Sequence, residues 1–577
     1  MEHGDRLVSR STRRAGRAVG TGRGWGIAAW TAAAAIPLAF LAVFFLLPVL
    51  SLIATGFTTE GRFDASGIPA VLGEPRTWSV VGQTLAQAAL GTLLSLVLGV
   101  PAAFVLYRLR FRGRAALRGL MTVPFVLPTV VVGVAFESVF GEGGPLAALG
   151  LDRTLLVVVL ALAFFNVTVV ARTVGGFWSQ LDPRPEQAAR MLGAGPGRVW
   201  WTVTLPQIAP ALASAASLVF LFCATSFGIV LILGGRSLSN VETEIYRLTV
   251  QFLDLRAAAV LSLLQFALVA AVLVVSARLR RRREQTVSLR PTAERIRRAH
   301  APAIAVVAAT VLLLHLLPMI ALLVGSLRGR TAGADGAAEW TLQNYTNLFV
   351  PPADSPIDGS VADALATSLG IAALAATIAL LLGGLVALVA SRRPRSRVLA
   401  RGIEWFDGAI MLPLGVSAVT LGFGLLLTMN RPLGIGLDLR TSTVLIPIAQ
   451  ALVALPIVVR TLLPVLRGID PRQRDAAAML GAGPLRVLGT IDLPLLGRSA
   501  GLAAGFALAA SLGEFGATSF LVRPDTQTLP VVIAQLIGRQ GSDSYGTALA
   551  GAVVLGAITA GIMLLAERWR GEAAAEW

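Results

Sequence analysis

Asp182-Pro183-Arg184-Pro185-Glu186-Gln187-Ala188-Ala189-Arg190-Met191-Leu192-Gly193-Ala194-Gly195-Pro196 returns 288 residues later as Asp470-Pro471-Arg472-Gln473-Arg474-Asp475-Ala476-Ala477-Ala478-Met479-Leu480-Gly481-Ala482-Gly483-Pro484. The register persists to Val203-Thr204-Leu205-Pro206 in the first copy and Ile491-Asp492-Leu493-Pro494 in the second. Both copies are polar islands in an apolar chain, so shared hydrophobicity does not explain the match. A duplicated functional element does. The chain reads as two copies of one machine.

Around these islands 55% of the residues are hydrophobic, 14% are charged and the mean hydropathy is +0.74. An ordinary soluble domain lies far from these values. Runs of about 20 apolar residues, enough to cross a ~30 Å hydrocarbon layer as helix, recur along the whole length. The expected spans are 27–55, 80–106, 119–140, 154–175, 206–233 and 256–277 in the first half. In the second they are 303–326, 364–390, 405–428, 442–465, 494–522 and 546–566. The predicted fold class is therefore all-α, a polytopic membrane protein of twelve helices in two tandem six-helix cores. A basic tail at 1–26 precedes the first core, 27–277. An arginine-rich linker, 278–301, joins it to the second core, 302–567, and a short tail, 568–577, follows.

The formal net charge of +17 would suggest nucleic acid in a soluble protein, but its placement argues otherwise. Arg6, Arg10, Arg13, Arg14, Arg17 and Arg23 precede the first span, Arg108 to Arg118 follow the second, and Arg278 to Arg298 fill the linker. Arg392, Arg393, Arg395, Arg397 and Arg401 occupy the equivalent loop of the second half. These are alternate loops, whereas 327–361, with Asp335, Glu339, Asp354 and Asp358, is not basic. The positive-inside rule then places both termini, the linker and both repeated motifs in the cytoplasm, with 235–252 and 327–361 outside. The basic start leads into an uncleaved first span and not a signal peptide, because the apolar stretch is about 30 residues long and lacks a small-residue cleavage site. A nucleic-acid surface is not expected, since the charge is dispersed and little interleaved with aromatics. Every basic side chain is arginine. A P-loop needs a lysine on the nucleotide phosphates, so a Walker-type ATP site is excluded.

Within the repeat, Asp182 and Asp470 precede proline, the pattern of a helix start in which the carboxylate accepts from an orphan amide. Ala188, Ala189, Ala476 and Ala477 give the short helix a face of little bulk that another protein can approach. Gly193 and Gly481 supply the permissive backbone that ends it and reverses the chain. Leu205-Pro206 and Leu493-Pro494 then open the next span. Two matching copies on one side of the membrane favour docking elements for two identical or homologous partners over ordinary loops.

These residues resemble the membrane subunits of binding-protein-dependent bacterial ABC importers. That family carries a cytoplasmic Glu-Ala-Ala, three residues, Gly, nine residues, Ile-x-Leu-Pro before the penultimate span of each core. Here the pattern is Gln187-Ala188-Ala189, Gly193, Val203, Leu205-Pro206 and Asp475-Ala476-Ala477, Gly481, Ile491, Leu493-Pro494. The glutamate is replaced in both copies, with Glu186 adjacent in the first. The resemblance implies a permease subunit and no enzyme, in a bacterial plasma (inner) membrane, holding no cofactor of its own. Its implied partners are two ABC ATPase subunits that bind ATP below it and an extracytoplasmic solute-binding protein. A fused pair of cores most resembles ferric-iron and thiamine importers, with Thr225-Ser226-Phe227-Gly228, Leu233-Gly234-Gly235, Glu244-Ile245-Tyr246 and Ser511-Leu512-Gly513-Glu514-Phe515-Gly516-Ala517 as the similar segments. Sulfate and molybdate permeases share part of them.

Inside the spans Glu514 is the most conspicuous ionisable residue; its repeat counterpart is Ser226. A carboxylate there is costly unless it faces a cavity or a partner. If the halves face each other, Thr225 and Ser226 come near Glu514, Thr518 and Ser519, forming a small polar pathway whose acid favours a cation over an oxyanion. Asn166, Gln83, Gln87, Gln265 and Gln450 are expected to make interhelical hydrogen bonds. His315 and the single cysteine, Cys223, read as packing residues, with no metal set around them. Arg172 and Arg460 read as snorkelling side chains. A twelve-span secondary transporter would share the hydropathy profile, but it has no use for two docking helices.

Overall fold

The computed structural model describes residues 30–568 except 60, 61, 65, 236, 282–293, 330–338, 352–358, 393–395, 435, 437, 540 and 541. The expected basic tail 1–26, most of the linker, Asp335, Asp354 and Asp358, and residues 569–577 lie outside the described residues. Among the described residues the chain is helical, with only three two-stranded pairs of two residues per strand.

The first half contains α1 (Trp30–Phe57), α2 (Pro75–Arg108), α3 (Arg114–Val126), α4 (Thr129–Phe140), α5 (Leu155–Trp178), α6 (Arg184–Met191), α7 (Leu205–Ala224), α8 (Gly228–Leu233), α9 (Val241–Val250) and α10 (Leu255–Arg281). The second contains α11 (Arg298–Ser326), α12 (Val361–Ala390), α13 (Arg397–Ile410), α14 (Ala418–Thr428), α15 (Leu445–Arg467), α16 (Pro471–Met479), α17 (Leu493–Leu512), α18 (Thr518–Leu521), α19 (Leu529–Ile537) and α20 (Ser542–Arg568). Nine helices among the described residues are long and apolar enough to cross a bilayer, and two bent pairs raise the number to eleven.

The ninth expected span, 405–428, is not one continuous helix. A 3₁₀ turn at Leu412–Gly415, holding Pro413, separates α13 from α14. Exposed Arg397, Arg401 and Glu404 lie on α13, which buries only Phe406 and Ile410. That amphipathic distribution suits an interfacial helix. The third expected span, 119–140, likewise divides into α3 and α4, bent by 103°. Leu127 is extended before Pro128, as the clash of a proline ring with the preceding residue dictates. The spans expected at 206–233 and 494–522 end at Ala224 and Leu512 and continue through loops to the short α8 and α18.

The duplication is carried into the geometry. Turns at Pro196–Val199 and Pro484–Val487, π-helical stretches at Trp200–Thr204 and Leu488–Asp492, and helices α7 and α17 start and stop 288 residues apart. Helices α2, α5 and α7 pack together, and α12, α15 and α17 repeat the arrangement. A Cβ at Gly99 would fall 2.5 Å from Val170 Cβ, and one at Gly383 would fall 2.6 Å from Val458 Cγ1. Both glycines therefore set how closely the long helices approach. Val170 and Val458 are 288 residues apart but Gly99 and Gly383 only 284, so the second copy has four more residues than the first between these helices.

Each copy's first helix reaches into the other. Helix α1 packs on α14, where a Cβ at Gly424 would sit 3.1 Å from Pro48 Cβ, and α11 packs on α4. His315 of α11 is buried with its ring 5.3 Å from that of Phe164 on α5, so it packs between copies.

Candidate translocation cavity and docking helices

Both polar islands form the short helices expected of them. Backbone amides of Arg184 and Arg472 donate to Asp182 Oδ1 and Asp470 Oδ1, each at 3.0 Å. At the other end Gly193 and Gly481 adopt φ of +82° and +81°, a left-handed conformation natural to glycine. The amides of Ala194 and Ala482 then close the turns onto the carbonyls of Ala189 and Ala477, at 3.0 and 2.9 Å. Gln187, Ala188, Asp475 and Ala476 are exposed, while Ala189 and Ala477 are half-buried. Leu205-Pro206 and Leu493-Pro494 begin the helices that follow.

Past the alanines stand Met191 and Leu192, each 88% exposed, and Met479 and Leu480, each 89% exposed. Large apolar side chains so bare are informative when they recur in pairs at repeat positions. These methionines and leucines stand in the repeat itself, immediately before Gly193 and Gly481.

Beneath each of α6 and α16 lies a buried ionic junction that the sequence did not disclose. Arg108 belonged by position to a basic loop, yet only 1% of it is exposed. Its Nη2 lies 3.4 Å from Glu186 Oε2 on α6 and 3.2 Å from Glu294 Oε1 of the linker, and its Nη1 donates to the Trp178 carbonyl at 3.4 Å. The Thr204 hydroxyl donates to Glu186 Oε1 at 2.9 Å. In the second copy fully buried Asp492 receives Arg392 Nη2 at 2.7 Å and Arg474 Nη2 at 2.8 Å, and Arg474 also donates to the Leu466 carbonyl at 3.3 Å.

Between the copies lies a cavity of about 340 Å³. Thr225, Ser226, Phe227 and Gly228 line it from one side and Ser417, Ala418, Glu514, Phe515 and Gly516 from the other, with Asn166 and the rings of Phe125, Phe165 and Phe222 completing the wall. Of the five expected pathway residues, Thr225, Ser226 and Glu514 thus share one cavity. Thr518 lies behind it, and Ser519 donates back to the Gly516 carbonyl of its own turn. The Glu514 carboxylate caps α18: the amides of Ala517 and Thr518 donate to it at 2.7 and 2.9 Å, and the Thr518 hydroxyl also donates. Phe227 and Phe515, which occupy equivalent repeat positions, stack with ring centroids 5.2 Å apart, and Tyr246 and Phe520 extend the cluster.

The remaining polar residues within the spans are mostly bonded between helices. Gln87 donates to the Cys223 carbonyl at 3.0 Å and Gln450 to Thr518 Oγ1 at 3.3 Å. Gln265 donates to Glu242 at 3.1 Å, and this fully buried carboxyl also receives the Ser417 hydroxyl at 2.5 Å. Glu242 is therefore a bridge between the copies. Asn166 donates across to the Cys223 sulfur of α7 at 3.4 Å, as expected, and also to the Leu162 carbonyl of its own helix at 2.8 Å. Gln83 Nε2 is buried without a hydrogen-bond partner. Arg172 and Arg460 are exposed, as snorkelling requires.

Residues 95–325 match the family described as binding-protein-dependent transport system inner membrane component. The thiamine transport system permease protein ThiP of Escherichia coli K12 is 29% identical over 512 residues, spanning 86% of this chain and 88% of that protein. The molybdenum transport system permease protein ModB of Mycobacterium bovis is 35% identical over 219 residues, spanning 35% of this chain and 82% of that protein. Among solved structures, a chain of a bacterial ABC transporter involved in the import of alginate is 16% identical with a TM-score of 0.40, covering 46% of this chain and 97% of that one. The chain belongs to the family of inner membrane components of binding-protein-dependent transport systems. It is a multi-pass inner-membrane permease of an ABC importer.

Proposed function

We propose that this permease carries thiamine, delivered by a separate extracytoplasmic binding protein and driven by two ATPase subunits that bind α6 and α16. The observation that carries the reading is the pair of matched, exposed helices α6 and α16, one in each of two cores, residues 27–277 and 302–567, that share one cavity. Two equivalent partners closing beneath them would rock the cores against each other around that cavity.

Several features favour thiamine over ferric iron as the cargo. A cavity of about 340 Å³ suits a small organic molecule rather than a bare ion. Its phenylalanine rings offer flat apolar faces to a cationic heteroaromatic, which gains from stacking and cation–π attraction. A hard metal ion calls instead for several oxygen ligands. The relative named for thiamine transport aligns over both copies, whereas the one named for molybdenum transport aligns over about a third of the chain. The acid at Glu514 also disfavours sulfate- or molybdate-type oxyanions.

The deciding experiment is uptake of radiolabelled thiamine into proteoliposomes holding the permease, its ATPase subunits and its binding protein, with ATP inside. ATP-dependent thiamine uptake that excess unlabelled sulfate leaves intact is the expected result. Uptake of sulfate or ferric iron in place of thiamine would overturn the cargo assignment. Uptake independent of the ATPase subunits would favour a secondary transporter.

A further inference from the structure

We infer that each docking helix is held at its working angle by the buried ionic junction beneath it, and that the two junctions are interchangeable designs with the acid transposed between elements. The inference rests on the reading of α6 and α16 as ATPase-docking helices. It names the residues that position them and not those that touch the partner.

The equivalence follows from the two repeat offsets. At the offset of 284 that relates α2 to α12, Arg108 corresponds to Arg392. The same offset relates Thr84 to Ser368, whose hydroxyls accept the equivalent amides of Val241 and Leu529 at 3.0 and 2.7 Å, so the alignment is structural and not merely textual. At the offset of 288, Glu186 corresponds to Arg474, Thr204 to Asp492 and Trp178 to Leu466. Each junction therefore joins the same four places: the end of the second long helix, the last turn of the fourth, the docking helix and the entry to the fifth.

The chemistry at those places is rearranged. In the first copy the docking helix carries the acid, Glu186, and Arg108 comes to it while also capping the Trp178 carbonyl. In the second copy the docking helix carries the base, Arg474, which caps the equivalent Leu466 carbonyl, and the acid has moved to Asp492. The carbonyl is capped by arginine in both, and the docking helix is tied by an ion pair in both. Such pairs lose heavily when one partner is removed, because the remaining charge stays buried. The first junction also receives Glu294 from the linker at 3.2 Å, which ties the start of the second copy to the docking helix of the first.

The test transplants one design into the other. Glu186→Arg alone places two guanidiniums together and should lower ATP-driven uptake and substrate-stimulated ATPase activity by roughly tenfold or more, as expected for a broken buried pair. Adding Thr204→Asp recreates the second copy's arrangement and should restore both to within about twofold, a near-neutral exchange of one buried pair for another. The mirror pair is Arg474→Glu alone and Arg474→Glu with Asp492→Thr. Abundance and co-purification of the ATPase subunits are followed in every variant. If Glu186→Arg fails to accumulate, the mirror pair decides alone. Loss in the single variants with rescue in the doubles supports the inference. Full activity in the singles, or no rescue in doubles that accumulate normally, overturns it. Absence of any bound ATPase subunit on the wild-type chain would instead sink the docking reading.

Discussion

At the scale of single residues, Glu514 is where expectation and geometry differ most usefully. Both its oxygens are taken by the start of α18. Glu514→Gln would put an amide donor in place of one of the two oxygens, facing a backbone amide that now donates to it and leaving that buried donor without an acceptor, at a cost of about 1–3 kcal/mol. We expect thiamine uptake to fall together with the thermal unfolding midpoint of the purified permease. A normal midpoint with lost uptake would assign the effect to charge in the pathway, and unchanged uptake would leave Glu514 the capping role alone. Single residues were legible in the sequence where their chemistry is local: the Asp182 and Asp470 caps and the turns at Gly193 and Gly481. The Arg108 and Arg392 junctions were not. The four additional residues of the second copy take these arginines out of the 288-residue register, and a basic loop is the ordinary reading of arginine next to a span.

Among elements, α6 and α16 form where the spacing predicts short helices, and their terminating glycines make the clearest test of the proposed docking role. Nothing lies within 4 Å of a Cβ placed on Gly481, so a side chain there meets no neighbour. Only the backbone objects: a β-branched residue at φ near +80° costs about 1–3 kcal/mol. Gly481→Val should insert normally yet lower substrate-stimulated ATPase activity severalfold, as the Met479-Leu480 knob swings off its partner. Gly481→Asn, which tolerates this conformation, should retain most of it. Equal activity in the valine variant would reduce the motif to a connecting loop. The broken spans α3–α4 and α13–α14 were less legible, because hydropathy averages over a window and passes across Pro128 and Pro413. The prolines are a local signal, but an apolar run outweighs them in any count of crossings.

For the whole molecule, the sequence yields the repeat and nearly all the crossings but not which helices touch. The exchange of α1 and α11 between copies, the Phe227–Phe515 stack and the Glu242–Ser417 bridge depend on neighbours that hydropathy does not encode. Orientation is a different matter, since it follows from charge. The His300 ring packs 5.3 Å from Phe104, and Glu294 reaches Arg108 below α6, so the start of α11 lies on the docking-helix side. At the other end the Ser326 hydroxyl meets the Tyr345 hydroxyl at 2.9 Å, and Asn344 donates to the Ser326 carbonyl at 2.9 Å. Helix α11 has 29 residues. At 1.5 Å per residue it is about 43 Å long, enough to cross a ~30 Å hydrocarbon layer once. Residues 300 and 345 are therefore expected on opposite faces, and by the positive-inside rule the arginines around Arg108 and Arg298 predict the first of them on the cytoplasmic side. Reporter fusions at residue 300 should be active only with a cytoplasmic reporter, and fusions at 345 only with an extracytoplasmic one. Identical signals at the two sites would mean that α11 does not span, and reversed signals would place both docking helices where no ATPase could reach them.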